Sequence, residues 1–144
     1  MNEKSSQTSI DVLLSPTQEP DKDLNYLARS VIGAGIEVHR HLGPGLTEPL
    51  YEAAFKLELS LRGIPFKSQI WLTVSYKDHP LGKRRIDLIV DDRLVVELKS
   101  VEKLAPVHSA QLISYLRLTG YHLGLLINFN VALLKEGVKR VVLS

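Results

Sequence analysis

The sequence predicts a single α/β domain built on a mixed sheet, and three observations carry that prediction. Apolar residues recur at helical spacing twice near the N-terminus, switch to a period of two between residues 66 and 77, and then mark short strands around one more helix. The chain has 144 residues, 44% hydrophobic and 24% charged, enough for one core and not two. Gly and Pro fall at nearly every change of period.

The elements follow in order. Residues 1–23 are polar apart from Ile10 to Leu14 and read as a flexible tail, since they cannot bury enough surface to offset their ordering entropy. The domain is expected over 24–144. A first helix is predicted from an Asp23 cap to about His41, with Leu24, Leu27, Ala28, Val31, Gly35, Val38 and Leu42 on its inner stripe. Gly43-Pro44-Gly45 stops it. Thr47 can cap a second helix with Pro49 in its first turn, and Leu50, Ala54, Leu57 and Leu61 read as its core face. Glu48, Tyr51, Glu52 and Phe55 share another face. Gly63 ends that helix.

A long half-buried strand is predicted from Phe66 to Lys77, then a turn over Asp78–Gly82. Strands Arg84–Val90 and Leu94–Ser100 follow, joined by Asp91-Asp92-Arg93. Pro106 opens a third helix that ends at Gly120. Tyr121–Phe129 is apolar enough for a strand covered on both faces, and Val138–Leu143 reads as an edge strand.

Composition excludes several functions. Without Cys there is no disulfide framework, thiolate zinc site or Cys nucleophile. No apolar run approaches the ~18 residues of a membrane span, and the first 23 residues lack a secretion pattern. A soluble, cytoplasmic protein with no membrane partner is expected. Residues 1–23 hold five acids and two bases, so the other 121 carry 16 bases against 11 acids, a surplus of five positive charges that suits a polyanion. Gly43-Pro44-Gly45 lacks the Lys-Ser/Thr of a nucleotide-binding loop, and His39 and His41 on one helix point apart.

The chemistry concentrates in the pair IDLIV and LVVELKS. If the hairpin turns through Asp91-Asp92-Arg93, residues whose numbers sum to 184 lie opposite, so Asp87 faces Glu97 with Lys99 on the same side. Two opposed carboxylates repel, and a hard divalent cation with oxygen ligands would relieve them. The alternative is ordinary ion pairing, Asp87 with Arg84 or Arg85 and Glu97 with Lys99. A two-residue turn would instead separate the acids onto opposite faces. On the third helix Gln111 and Tyr115 lie one turn apart with His108 and Leu118, either toward the site or on a solvated edge.

Asp87 followed by Glu97-Leu98-Lys99 resembles the D…ExK signature of the PD-(D/E)XK nuclease superfamily, although Ile86 stands where that name has Pro. Gln111 and Tyr115 resemble the QxxxY element of its recombination-repair exonuclease branch. Gly45, Glu48 and Tyr51 fit the motif of the small bacterial GxxExxY proteins grouped with it, and the blocks VHRHLGPGL, VELKSVEKL, QLISYLRLTG and LLINFN are similar too. The likeness spans about residues 24–144. It implies a restriction-endonuclease-like core, a mixed sheet of four or five strands flanked by helices.

The resemblance further implies a nuclease that hydrolyses phosphodiester bonds, in DNA ahead of RNA, with Mg²⁺ or Mn²⁺. Asp87 and Glu97 would hold the metal. Glu48 would join them directly or through water, with Glu37 and Glu52 as competitors. Lys99 would act on the attacking water or the phosphate charge, and Gln111 and Tyr115 would position phosphate or Lys99. A nuclease-like binding or regulatory module with little turnover is the alternative. A chain this short is expected to carry no separate recognition domain, which makes a homodimer or protein partner a route to holding DNA.

Overall fold

The computed structural model describes residues 20–143, so the predicted tail lies outside the described residues as far as residue 19. Helix α1 spans Lys22–Leu42, and its cap is Asp21 rather than Asp23. The Asp21 carboxylate accepts the Leu24 N–H at 2.8 Å, which leaves Asp23 as first-turn acid. Its inner face is the predicted one with Ala34 and His39 added, while Leu42 is exposed. His39 is buried and donates Nε2–H to the Val131 carbonyl at 2.8 Å, whereas His41 faces solvent beside Glu37.

Helix α2 spans Glu48–Leu61 and corrects the predicted face. Tyr51, Phe55 and Leu59 are fully buried, while Leu50, Leu57 and Leu61 are more than half exposed. The leucines surround the helix, so periodicity alone could not say which stripe meets the sheet. Burying Phe55 and Leu59 contributes roughly 1.5–3 kcal/mol each, and that decides the face. Thr47 occupies the cap position but its hydroxyl caps nothing.

Among the described residues the sheet has five strands in chain order, β1 (Phe66–Tyr76), β2 (His79–Val90), β3 (Leu94–Lys99), β4 (Leu123–Asn128) and β5 (Val138–Val142). Only β3 and β4 are parallel, and helix α3 (Pro106–Thr119) makes their crossover. A short 3-10 turn, Leu134–Gly137, precedes β5. This is the mixed, helix-flanked α/β sheet that the sequence implied. One core lies between the sheet and α1 and α2 (Leu88, Val90, Val96, Leu98, Leu125, Ile127), the other between the sheet and α3 (Ile86, Ile89, Val95, Leu112, Leu116, Leu126). Gly124 admits α3: a Cβ there would stand 2.9 Å from Leu112 Cδ1 and 3.0 Å from its Cγ.

β2 begins earlier than the sequence suggested. The turn is not Asp78–Gly82 but Lys77-Asp78, both at positive φ (48° and 66°), and β2 pairs with β1 from His79 onward. Two left-handed residues suit the twist of a two-residue hairpin, although neither is the Gly that would advertise one. β1 and β2 therefore extend beyond the sheet as a two-stranded arm.

Candidate active site

β2 and β3 pair at Leu88–Val96, Ile89–Val95 and Val90–Leu94, the register summing to 184. Beyond Leu88 the strands part, because β2 follows β1 into the arm while β3 stays with β4. Side chains take over the bonding there. The Asp87 N–H donates to Glu97 Oε2 at 2.9 Å, and the Leu98 N–H donates to Asp87 Oδ2 at 2.9 Å. Each carboxylate thus satisfies a backbone donor of the other's strand, and the two acids are locked side by side at the split.

The pair is electrostatically costly. Burial, then the Asp87 charge, pushes Glu97 up to about 8. Asp87 is also raised, chiefly by burial, with Glu52 and Glu48 adding to the effect while the Leu98 N–H and Lys99 oppose it. Lys99 is half-buried on the same β3 face as Glu97 and makes no ion pair among the described residues.

Glu48 reaches this place through a local device. Tyr51 stacks on Phe129 (4.5 Å between centroids, 7° between planes), while its hydroxyl donates to the Gly43 carbonyl at 2.5 Å and accepts the Leu46 N–H at 3.2 Å. Gly45 turns at φ 103°, a conformation that favours glycine. The Ser100 hydroxyl donates to the Leu46 carbonyl at 2.5 Å, and its N–H lies 3.4 Å from Glu48 Oε2. The GLTEPLY segment is thereby docked on the residue after Lys99. Glu37, by contrast, is taken up by Arg40 and His41 on α1 (2.7 and 3.0 Å).

A splayed strand pair carrying D…ExK, with an acidic helix docked beside it, agrees with the family comparison. The description of the PD-(D/E)XK nuclease superfamily matches residues 25–141. The chain belongs to the PD-(D/E)XK nuclease superfamily. No curated protein and no solved structure gives a significant match.

Within this PD-(D/E)XK domain α3 brings Tyr115 to the site. Its ring is buried, and its phenol is raised by burial and by the Glu97 charge, against the pull of Arg84. Gln111, one turn earlier, lines a groove with it. The sequence reading missed Gln69, at φ 54°, which falls between the Ser68–Leu88 and Ile70–Ile86 pairs of the β1–β2 ladder, level with Asp87. Its amide donates to Glu52 Oε2 at 2.6 Å, and its Oε1 is buried without a partner among the described residues. No sequence signal marks it, because a Gln falls where the strand's alternation already places a polar residue.

Among the described residues, no three His, Cys, Asp or Glu side chains are arranged to hold a metal ion. The donor chemistry still fits a hard divalent cation. Mg²⁺ commonly takes one or two carboxylates and completes its shell with water and phosphate. Asp87 and Glu97 supply two adjoining carboxylates, each with one oxygen not engaged by the strand N–H groups. A cation would also offset the burial, and after it the neighbouring carboxylate charge, that raises both acids, and an orphaned amide oxygen lies on the neighbouring strand.

Proposed function

We propose that this domain is a metal-dependent phosphodiesterase of the GxxExxY group, acting in the cytoplasm on DNA ahead of RNA, with Mg²⁺ or Mn²⁺. The observation that carries the reading is the cross-tied Asp87–Glu97 pair, buried and charge-frustrated beside Lys99. Asp87 and Glu97 are the metal's protein ligands, and Glu48 is a third acid acting through water. When bound, the metal lowers the pKa of its water and polarises the scissile phosphate. Lys99 orients the attacking water and balances charge on the phosphate. Tyr115, a phenol that its burial raises further, donates to a phosphate oxygen, and Gln111 orients the same group.

The test is calorimetric titration of the protein with Mn²⁺ at pH 8.5, paired with cleavage of a labelled DNA. The parent should bind Mn²⁺ and cleave; Glu97→Gln should do neither. Glu48→Gln should abolish turnover with little loss of stability, and Glu37→Gln should behave as the parent. Mn²⁺ binding that persists in the double variant Asp87→Asn/Glu97→Gln would place the metal elsewhere. A parent that binds DNA and Mn²⁺ without cleaving would favour the binding-module reading.

A further inference from the structure

The arm and α3 enclose a groove of about 520 Å³; the nuclease reading uses Gln111 and Tyr115 on its wall and leaves the rest of its lining unassigned. Its apolar surface comes from Val74 and Leu81 on the arm and Leu118 on the helix, the last two well exposed. Arg84 and Arg117 stand on opposite walls, and among the described residues no acid lines it. Neither arginine has a carboxylate partner among the described residues; Arg84 donates only to the Lys83 carbonyl, at 3.1 Å. The groove also shares a wall with the candidate active site, since Tyr115 lines it and feels both Arg84 and Glu97.

We infer that this groove holds a single DNA strand as it leaves the active site, with phosphates on Arg84 and Arg117 and a base against the apolar floor. The inference rests on the nuclease reading for its direction. The choice of a single strand follows from the lining. A duplex keeps its bases stacked inside and offers a groove little besides phosphate. An unpaired strand presents phosphates and apolar base faces together, the combination that basic grooves with a stacking surface take. Arg84 is set apart from its neighbours by the pleat. It pairs with Leu72 toward α3, whereas Arg85 lies over the Trp71 ring on the arm's other face, 5.5 Å from its centroid.

The experiment is fluorescence anisotropy in EDTA, with the full chain, a labelled oligothymidylate and a labelled duplex of equal length. Arg84→Gln/Arg117→Gln should weaken oligothymidylate binding at least tenfold. It should lower the log–log salt slope by ~1.4, two phosphates at ~0.7 each. Duplex affinity should change by less than about threefold, since Lys83 and Arg85 remain on the other face. The charge-matched control Arg29→Gln/Arg40→Gln, on α1, should leave single-strand binding unchanged. If the double variant fails to fold, Leu118→Glu on the exposed edge of α3 provides the same reading. Equal losses for duplex and single strand, a similar loss in the control, or no oligothymidylate binding by the parent would each overturn the inference. A parent that binds single strands through these arginines yet cleaves no DNA with Mn²⁺ sinks the nuclease reading and sustains the groove.

Discussion

β2 is two different strands joined at Asp87. From Leu88 to Val90 it is buried between two neighbours, and from His79 to Arg85 it is exposed and paired with β1 alone. Alternation also slips at the joint. Ile86 sits in the α3-side core and Leu88 in the α1/α2-side core, although residues two apart in a regular strand share a face. Gln69 at φ 54° marks the same break in β1. Buried acids are tolerated where a ladder opens, because the backbone donors set free there partly solvate them. The regular half makes the fold, and the irregular joint makes the candidate chemistry.

The largest effect should come from the joint. Lys99→Ala removes a cation from beside both acids without touching either core, so folding and Mn²⁺ binding should change little. Cleavage should fall about 10²-fold or more if Lys99 acts on the water or the transition state. Single-turnover assays at saturating Mn²⁺ would check this. An unchanged rate removes Lys99 from the chemistry, and an unfolded variant makes it structural.

Next in size is the pH response of the metal-free protein. Folding raises Glu97 to about 8 from 4.5 and raises Asp87 above 3.8, so the native state holds protons that the unfolded chain has released. Stability therefore falls as pH rises. Glu97's contribution is complete below about pH 4.5 and is lost as pH climbs to about 8. Melting curves in chelator from pH 5 to pH 8.5 should show a falling Tm, and Glu97→Gln should flatten most of the slope. Saturating Mn²⁺ should reverse the trend, because it binds the deprotonated pair. A Tm independent of pH in chelator would mean that the pair is solvated.

A smaller effect separates the device that holds Glu48 from the acids themselves. Tyr51→Phe keeps the stack on Phe129 and removes the hydroxyl that ties Gly43 to Leu46. The loss should be about 1–2 kcal/mol of stability, as for a buried hydrogen bond with its partner left behind. Turnover should drop more than stability predicts, because Glu48 is positioned through that loop. Denaturant titration beside kcat would separate the two. Equal behaviour to the parent would leave Tyr51 a packing residue only.

How much was legible follows the same division. The regular half could be read in part: the apolar runs placed both strands, and of the two registers the sequence left open the structure takes the three-residue turn, which brings Asp87 beside Glu97. The joint could not. Nothing in composition marks Gln69 as left-handed, and its contact with Glu52 spans 17 residues. The α2 face was misread because leucine surrounds the helix, and packing alone selects Tyr51, Phe55 and Leu59. Asn128 escaped notice too. Buried in β4, it clips the Val101 backbone with two bonds, at 3.0 and 2.9 Å, and so fixes the chain just past Lys99.

The smallest expected effect asks whether the arm folds with the rest. Lys77 and Asp78 both sit at positive φ, and the second central position of such a turn is the one Gly fills best. Asp78→Gly relieves the left-handed strain and keeps Lys77 over the Tyr76 ring, 5.4 Å from its centroid. Against this, Gly loosens the unfolded chain, so the net gain should be only about 0.5 kcal/mol. Ile70 and Leu72 pack against the α3-side core, which ties the arm to the sheet. The gain should therefore appear in global unfolding, as a Tm rise of roughly 1–3 °C. Amide exchange along residues 70–86 would decide the other outcome. If exchange slows in the arm while Tm stays put, the arm opens on its own, and the joint at Asp87 is a boundary of cooperativity as well as a bend in a strand.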